Sequence, residues 1–228
     1  MMRRLVAFGL ILLPMFGPMY GEDTAKRPVD SVHTETVKFA PGGTIRVVHS
    51  FGSLYVEGWD RPEVEVTVDK SQQPASALDR IHVVTERRSD GELVISTTAP
   101  HKHFPYLWGG TGGVAVECQI RVPRDSKLAI QHGTGSVLVS GVTGEIQATS
   151  RAGDIVLLLP ESGTYSIDAR SKLGTVYSDF AGDFHRRYLV GSGFVHANAS
   201  PSHRLYLRTG IGGISIKSIP AAAGGGGE

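Results

Sequence analysis

Apolar and polar residues alternate along most of the chain from residue 36 onward, which is the pattern of half-buried β-strands. The segment EVEVTVD at residues 63–69 alternates without interruption. Two further runs, residues 80–86 and 92–96, flank Ser89-Asp90-Gly91, which is a strong hairpin signal. A helical period is absent apart from a short piece at residues 74–79. The pattern therefore predicts an all-β protein.

The second half of the chain repeats about every 20 residues. In each repeat a glycine precedes a short apolar strand, and in most repeats a second strand precedes that glycine, as at residues 146–148. An earlier segment around Gly52 fits the same template. The glycines that mark the repeat are Gly135, Gly153, Gly174, Gly193 and Gly213.

A period of this length predicts a single-domain, β-solenoid-like stack, in which each coil lies on the one before it. A glycine at each corner would supply the positive φ that other residues avoid. The inward residues would form a continuous core: Val137, Val139, Ile155, Leu157, Val176, Val195, Ile214 and Ile216. An antiparallel β-sandwich with regular hairpins is the alternative, because its strands have a similar spacing.

Three segments together resemble a known family. They are VEGWDRPEVEV at residues 56–66, IRVPRDSKL at residues 120–128 and GSVLVSGVTGEIQA at residues 135–148. Their order and spacing are similar to those of the bacterial "putative adhesin" family DUF4097, over residues 36–219. The resemblance implies a β-solenoid-like domain of exported or membrane-associated proteins. It implies no catalytic residues, and the loop at residues 101–113 is longer and more aromatic than the family's usual connection.

The N-terminal segment predicts export, and the composition of the two terminal segments predicts the bounds of the domain. Arg3 and Arg4 precede an apolar stretch at residues 5–16, which is the length of a signal-peptide core and short for a membrane span. We expect a signal peptide at residues 1–21, a flexible lead-in at 22–35, the repeat domain at 36–219 and a disordered Gly/Ala tail at 220–228. The protein would then be periplasmic, cell-surface or secreted, and the membrane would be a partner only if the signal segment stays uncleaved.

Composition narrows the range of partners. The chain has 23 Lys and Arg against 22 Asp and Glu, a net charge of +1, which gives no bulk reason to expect nucleic acid or an acidic membrane. Glycine is abundant, at 29 of 228 residues, as expected for many turns. The single Cys118 lies in an alternating run and is expected to be a small buried hydrophobe.

The loop at residues 101–113 carries the candidate ligand-binding side chains His101, His103, Phe104, Tyr106 and Trp108. Its aromatics could stack on a sugar or contact a partner, or they could fold back and cap the open end of the stack. The two histidines could share a metal only with a third ligand such as His132 or His185, so no metal site is assigned.

Common catalytic signatures are absent from the sequence, among them a phosphate-binding loop, a His-Glu-x-x-His motif and a nucleophile elbow. Asp154, Asp168, Asp179 and Asp183 recur, but at different phases of the repeat, so we expect solvated acids rather than a shared site. We therefore expect no cofactor and no enzymatic activity.

The sequence favours an exported, adhesin-like binding or scaffold module of the cell envelope or surface, with a surface glycan or an envelope protein as the partner. A polysaccharide-active β-helix enzyme and a membrane-anchored regulatory module are the alternatives. A groove in which carboxylates converge would favour the enzyme. The sequence leaves the ligand and the oligomeric state open.

Overall fold

The computed structural model describes residues 32–70, 81–88, 91–98, 116–161, 163–187, 190–198 and 201–220. Within these residues the chain forms sixteen β-strands and no helix, so the prediction of an all-β protein is confirmed. The strands are β1 (Val32–Lys38), β2 (Thr44–Trp59), β3 (Glu63–Asp69), β4 (His82–Arg88), β5 (Glu92–Thr98), β6 (Val116–Pro123), β7 (Lys127–Thr134), β8 (Val137–Ser140), β9 (Ile146–Ala152), β10 (Ile155–Pro160), β11 (Tyr165–Leu173), β12 (Val176–Ser178), β13 (Asp183–Arg187), β14 (Gly191–His196), β15 (His203–Ile211) and β16 (Ile214–Ile219).

The strands form one curled mixed sheet with two halves, joined by the long strand β2. The front sheet has the order β1, β3, β6, the second half of β2, β8, β10, β16 and β12. The back sheet has the order β4, β5, the first half of β2, β7, β9, β15, β11, β14 and β13. Inward side chains from both sheets meet in a single hydrophobic cluster.

Each repeat contributes one strand to the back sheet and the next strand to the front sheet. The pairs β7–β8, β9–β10, β11–β12 and β15–β16 all follow this rule, and neighbouring coils pair in parallel. Antiparallel pairing occurs at the two ends, through β1–β3–β6 and β4–β5 on one side and β11–β14–β13 on the other. The alternative prediction was an antiparallel β-sandwich. Two sheets do pack on one core, but among the described strands the pairing is not antiparallel throughout.

The order of the coils differs from the order of the chain. The final coil, β15–β16, lies between β9–β10 and β11–β12, because β15 pairs with both β9 and β11. The other edge of β11 is covered by the hairpin of β14 and β13, so β15 pairs on the open side of β11. The expectation that each coil lies on the one before it is thus wrong for the last two coils.

Glycine with positive φ marks the corner where each coil passes from the back sheet to the front sheet. Gly52, Gly135, Gly153, Gly212 and Gly174 have φ values from +115° to +145°. A Cβ on Gly153 would lie 1.7 Å from the carbonyl oxygen of Gly135, so no side chain fits there.

Two of the glycines predicted as corners are not corners. The last corner is Gly212 rather than Gly213, and Gly193 lies inside β14, antiparallel to β11. The strand predicted from Gly193 also has a different inward residue, since Phe194 is fully buried and Val195 is only half-buried. The other seven predicted core residues are buried.

Three local predictions can be compared with the described strands. β1 begins at Val32, inside the segment predicted as a flexible lead-in, and pairs along its whole length with β3. The hairpin predicted around Ser89-Asp90-Gly91 is confirmed, because β4 and β5 pair antiparallel. Cys118 is fully buried, and burial raises the pKa of its thiol to about 11, as expected of an inert hydrophobe.

Candidate functional site

The predicted ligand loop lies outside the described residues, and so do His101, His103, Phe104, Tyr106 and Trp108. Its described flanks are Thr98, at the end of β5, and Val116, at the start of β6. Val116 pairs with the corner residue Gly52, and Thr97 pairs with His49 of the same coil. The loop therefore leaves and re-enters the described part of the fold beside the first glycine corner.

His132, suggested as a third metal ligand, has a different role. Its ring is buried and stacks on that of His49, with 5.4 Å between ring centroids. Its Nε2 lies 3.0 Å from the carbonyl oxygen of Gly52, which can only accept, so Nε2 carries the proton. Its Nδ1 then accepts from the hydroxyl of Ser150, at 3.3 Å. The part of the chain that the structure describes contains no group of three or more His, Cys, Asp or Glu side chains placed to hold a metal.

His132 belongs to a row of buried polar side chains that crosses the back sheet. The row runs through neighbouring strands in register, in the order Thr97, His49, His132, Ser150, Thr209 and Ser171. We call it the polar ladder. From His49 onward, each member stands three residues before a corner glycine.

The polar ladder binds the corners of neighbouring coils together. The hydroxyl of Ser171 donates to the carbonyl of Gly212 at 2.7 Å, and that of Thr209 donates to the carbonyl of Gly153 at 3.1 Å. These bonds satisfy carbonyl groups that the turn of the chain removes from the sheet hydrogen bonds. The ladder residues are buried, and their hydrogen bonds hold the corners of neighbouring coils together.

His49 is the exception in the ladder, since within the described residues neither of its ring nitrogens has a hydrogen-bond partner. Burial, and then the neighbouring His132, lower the pKa of His49 to about 4. The Val116 backbone opposes this shift without reaching hydrogen-bonding geometry. Burial also lowers the pKa of His132, so the pair is neutral in the folded protein at neutral pH.

An open groove of about 330 Å³ lies on the outer face of the front sheet. Outward residues of β6, β2 and β8 line it: Tyr55, Glu57, Glu117, Gln119, Leu138 and Ser140. Every second residue of these strands points outward. The parallel pairing places outward residues that are far apart in the sequence side by side. Thus Tyr55 stands between Gln119 on β6 and Leu138 on β8.

Charges at one end of the groove are held in place by Arg121. Its guanidinium lies 3.4 Å from the carboxylate of Glu57 and 3.0 Å from that of Glu65. The same guanidinium lies 5.8 Å from the ring of Trp59, whose indole donates to the carbonyl of Glu63 at 2.8 Å. Glu57 is thus an ion-paired carboxylate at a fixed rim of the groove.

Three of the recurring aspartates, Asp154, Asp168 and Asp179, have separate partners. Asp154 accepts a hydrogen bond from the backbone of Gly213 at 2.7 Å, and Asp179 accepts one from the backbone of Ser218 at 3.0 Å. Asp168 pairs instead with two arginines of the outer face of the back sheet. None of these three lines the groove.

Comparison with known proteins finds only distant likeness. A "putative cell adhesion protein" from Clostridium sporogenes is 15% identical, with 82% of this chain and 100% of that chain covered and a TM-score of 0.45. A "putative adhesin" from Bacteroides fragilis is 13% identical, with 84% and 99% covered and a TM-score of 0.24. A "putative lipid binding protein" from Parabacteroides distasonis is 11% identical, with 83% and 97% covered and a TM-score of 0.23. Scores of this size carry no argument about function.

Neither a family model nor a curated protein matches the chain. Across the described ranges no helix has the length and apolarity needed to cross a bilayer. The predicted signal peptide and the Gly/Ala tail after Pro220 lie outside those ranges.

Proposed function

We propose that this protein is an exported, non-catalytic binding module of the cell envelope or surface, and that the groove around Tyr55 takes a neutral glycan. The observation that carries the proposal is the combination of one aromatic ring with amide, hydroxyl and carboxylate groups on the face of a rigid sheet. An aromatic face packs against the apolar side of a sugar, while Gln119 and Ser140 can exchange hydrogen bonds with its hydroxyls.

The position of the groove supports a binding role. It lies on β6, β2 and β8, which are inner strands of the front sheet with buried side chains beneath them. A site on such strands keeps its geometry without ordering a loop, which lowers the entropic cost of binding. We infer as well that the domain is a β-solenoid-like stack with its last coil inserted, in keeping with the resemblance to the DUF4097 family.

The loop at residues 101–113 remains a second proposed contact. We propose that His101, His103, Phe104, Tyr106 and Trp108 extend the binding surface at the first corner. Deleting the loop would then weaken the binding of longer glycans, while binding of a short glycan in the groove would persist.

The test is a titration of the protein with a panel of neutral oligosaccharides, followed by isothermal calorimetry or by NMR chemical shifts. Tyr55→Ala should weaken binding about tenfold or more, since stacking contacts of an aromatic ring contribute on the order of 1–3 kcal/mol. Tyr206→Ala removes an exposed tyrosine from the opposite face and serves as the matched control. Equal losses for both variants, or none for Tyr55→Ala, would contradict the proposal.

A polysaccharide-active enzyme is the second candidate, because Glu57 and Glu117 both line the groove. In register, Glu117 faces Ser53, four residues before Glu57 on β2, so the two Cα atoms are about 13 Å apart along the strands. The two catalytic carboxyl groups of glycosidases are roughly 5–9.5 Å apart, and one of them donates a proton to the leaving group. Glu57 and Glu117 would therefore have to extend their side chains toward each other to act as such a pair. Release of reducing ends from a bound glycan, abolished by Glu117→Gln, would favour the enzyme over the binding module.

A further inference from the structure

The near-zero net charge of the chain conceals a strongly basic region on the outer face of the back sheet. Five cations point outward from three neighbouring strands: Arg151 on β9, Arg204 and Arg208 on β15, and Arg170 and Lys172 on β11. Asp168 is bound to Arg170, at 3.0 Å, and to Arg208, at 2.6 Å. Within the described residues Arg151, Lys172 and Arg204 have no ion pair, so the region keeps a large excess of positive charge.

The strand at the centre of this region carries a glycine between two of the cations. Gly210 stands beside Arg151, whose carbonyl oxygen lies 2.4 Å from the position of a Cβ on Gly210. On the other side, the pairs Ser171–Thr209 and Leu173–Ile211 place Lys172 next to Gly210. Arg151 and Lys172 are thus two strands apart, about 10 Å between Cα atoms, with only glycine between them.

A ridge of exposed aliphatic side chains borders the basic region at the corner of the stack. Leu173 is 46% exposed, Ile211 is 49% exposed and Val190 is 61% exposed. Leu173 and Ile211 face each other in register, and the backbone of Gly174 donates to the carbonyl of Val190 at 3.0 Å. Leu173 and Ile211 are therefore neighbours on adjoining strands, and the backbone of Val190 lies beside the corner that follows Leu173. The basic rim is our name for this ridge together with four of the five cations, Arg151, Arg170, Lys172 and Arg208. Arg204, near the start of β15, is not part of it.

Aliphatic side chains larger than alanine occupy this register position only in the two coils at this end of the described stack. In the other coils the same position holds Ala152, which pairs with Ile211, then Thr134, which pairs with Ala152, and then Phe51, which pairs with Thr134. The corner accepts a small, a polar or an aromatic residue at this position, so the geometry of the turn does not require Ile211 or Leu173. Contiguous exposed aliphatic residues on a soluble surface indicate a contact with an apolar phase or partner.

We propose that the basic rim docks onto the anionic surface of a phospholipid bilayer. The cations bind headgroup phosphates, while Leu173, Ile211 and Val190 enter the boundary between headgroups and acyl chains. Each cation near an anionic surface contributes about 1 kcal/mol, and apolar side chains add to this when they leave water. An acidic glycan would use the cations but leave the aliphatic ridge exposed to water, so the bilayer accounts for more of the surface.

The basic rim and the groove lie on opposite sheets, so the two can be occupied together and tested apart. The lipid proposal goes beyond glycan binding and does not depend on it. A failure of vesicle binding leaves the Tyr55 titration unaffected, and the converse also holds.

The experiment is flotation of the full chain with vesicles of phosphatidylcholine alone and with about one third phosphatidylglycerol. The neutral vesicles measure any binding through the apolar stretch at residues 5–16, which all variants share. We expect tighter binding to the anionic vesicles, weakened about tenfold or more in Arg151→Glu/Lys172→Glu. Lys127→Glu/Lys217→Glu makes the same change in net charge elsewhere and should bind as the wild type does.

A second variant distinguishes binding to a bilayer from binding to other polyanions. Leu173→Ser/Ile211→Ser keeps every cation and should lose binding to the anionic vesicles. Soluble polygalacturonate is the comparison probe, and far-UV circular dichroism confirms that each variant is folded. Wild-type binding to polygalacturonate but not to anionic vesicles would overturn the proposal in favour of an acidic glycan. Vesicle binding unchanged by Leu173→Ser/Ile211→Ser, or lost equally in both charge variants, would overturn it as well.

Discussion

At the scale of single residues, the corner glycines show how closely the coils approach one another. Each has a positive φ, and at Gly135, Gly153, Gly174 and Gly212 a Cβ would lie within 2.4 Å of the carbonyl oxygen of a neighbouring corner glycine. The sequence displays two adjacent glycines at the last corner, and only the backbone geometry distinguishes them. Gly213 lacks a positive φ, and a Cβ there would meet nothing closer than 3.4 Å.

Alanine substitution of these two glycines should therefore give unequal effects. Gly212→Ala forces a side chain into φ +127° and against a carbonyl group, which should lower the free energy of unfolding by at least about 2 kcal/mol. Gly213→Ala should remain within about 1 kcal/mol of the wild type. Urea unfolding of both variants measures the difference. A larger loss for Gly213→Ala would mean that the corner is assigned one residue too early.

At the scale of elements, the polar ladder joins the strands of the back sheet beneath their outer faces. The sequence shows part of it, because Ser150 and Ser171 stand at the same distance before a glycine. The equivalent residues are His49, His132 and Thr209, which share hydrogen-bonding capacity but no single residue type. The groove was not predictable either, since its residues come from β2, β6 and β8, and alternation does not say which strands are neighbours.

The ladder predicts that stability falls in mild acid. The folded state holds His49 neutral, with a pKa of about 4, while the unfolded chain takes up a proton near pH 6.5. Above pH 6.5 His49 is neutral in both states, and the free energy of unfolding is unaffected. As the pH falls from 6.5 through 4, proton uptake by the unfolded chain lowers the free energy of unfolding by about 3 kcal/mol in total. His132 changes in the same direction.

His49→Leu should flatten this dependence, because leucine fills the apolar site without taking up a proton. Urea unfolding between about pH 7.5 and 4.5 measures how the free energy of unfolding changes with pH, because most of the expected loss falls in this range. His82→Leu replaces an exposed histidine of β4 and should leave the slope unchanged. Parallel curves for the wild type and His49→Leu would show that the buried pair does not control acid stability.

At the scale of the whole molecule, the inserted last coil brings the residues of the basic rim together from distant parts of the chain. Arg208 lies beside Arg170, and Ile211 beside Leu173, only because β15 pairs with β11. The sequence indicated the strands, the period and most of the core, since these depend on local alternation. It did not indicate the order of the coils, which depends on the hairpin of β13 and β14 taking the free edge of β11.

Disulfide trapping tests this order directly. Gln147 of β9 is in register with Tyr206 of β15, which is in register with Asp168 of β11. Neighbouring strands are about 4.8 Å apart, within the reach of a disulfide, whereas next-neighbours are about 10 Å apart. The native Cys118 is fully buried and does not compete.

The decisive measurement is the yield of internal disulfide under mild oxidation of the folded protein, identified by mass spectrometry of the linked peptides. The inserted coil predicts efficient crosslinking in Gln147→Cys/Tyr206→Cys and little in Gln147→Cys/Asp168→Cys. Stacking in the order of the chain would reverse the two yields, and that result would contradict both the described fold and the basic rim built on it.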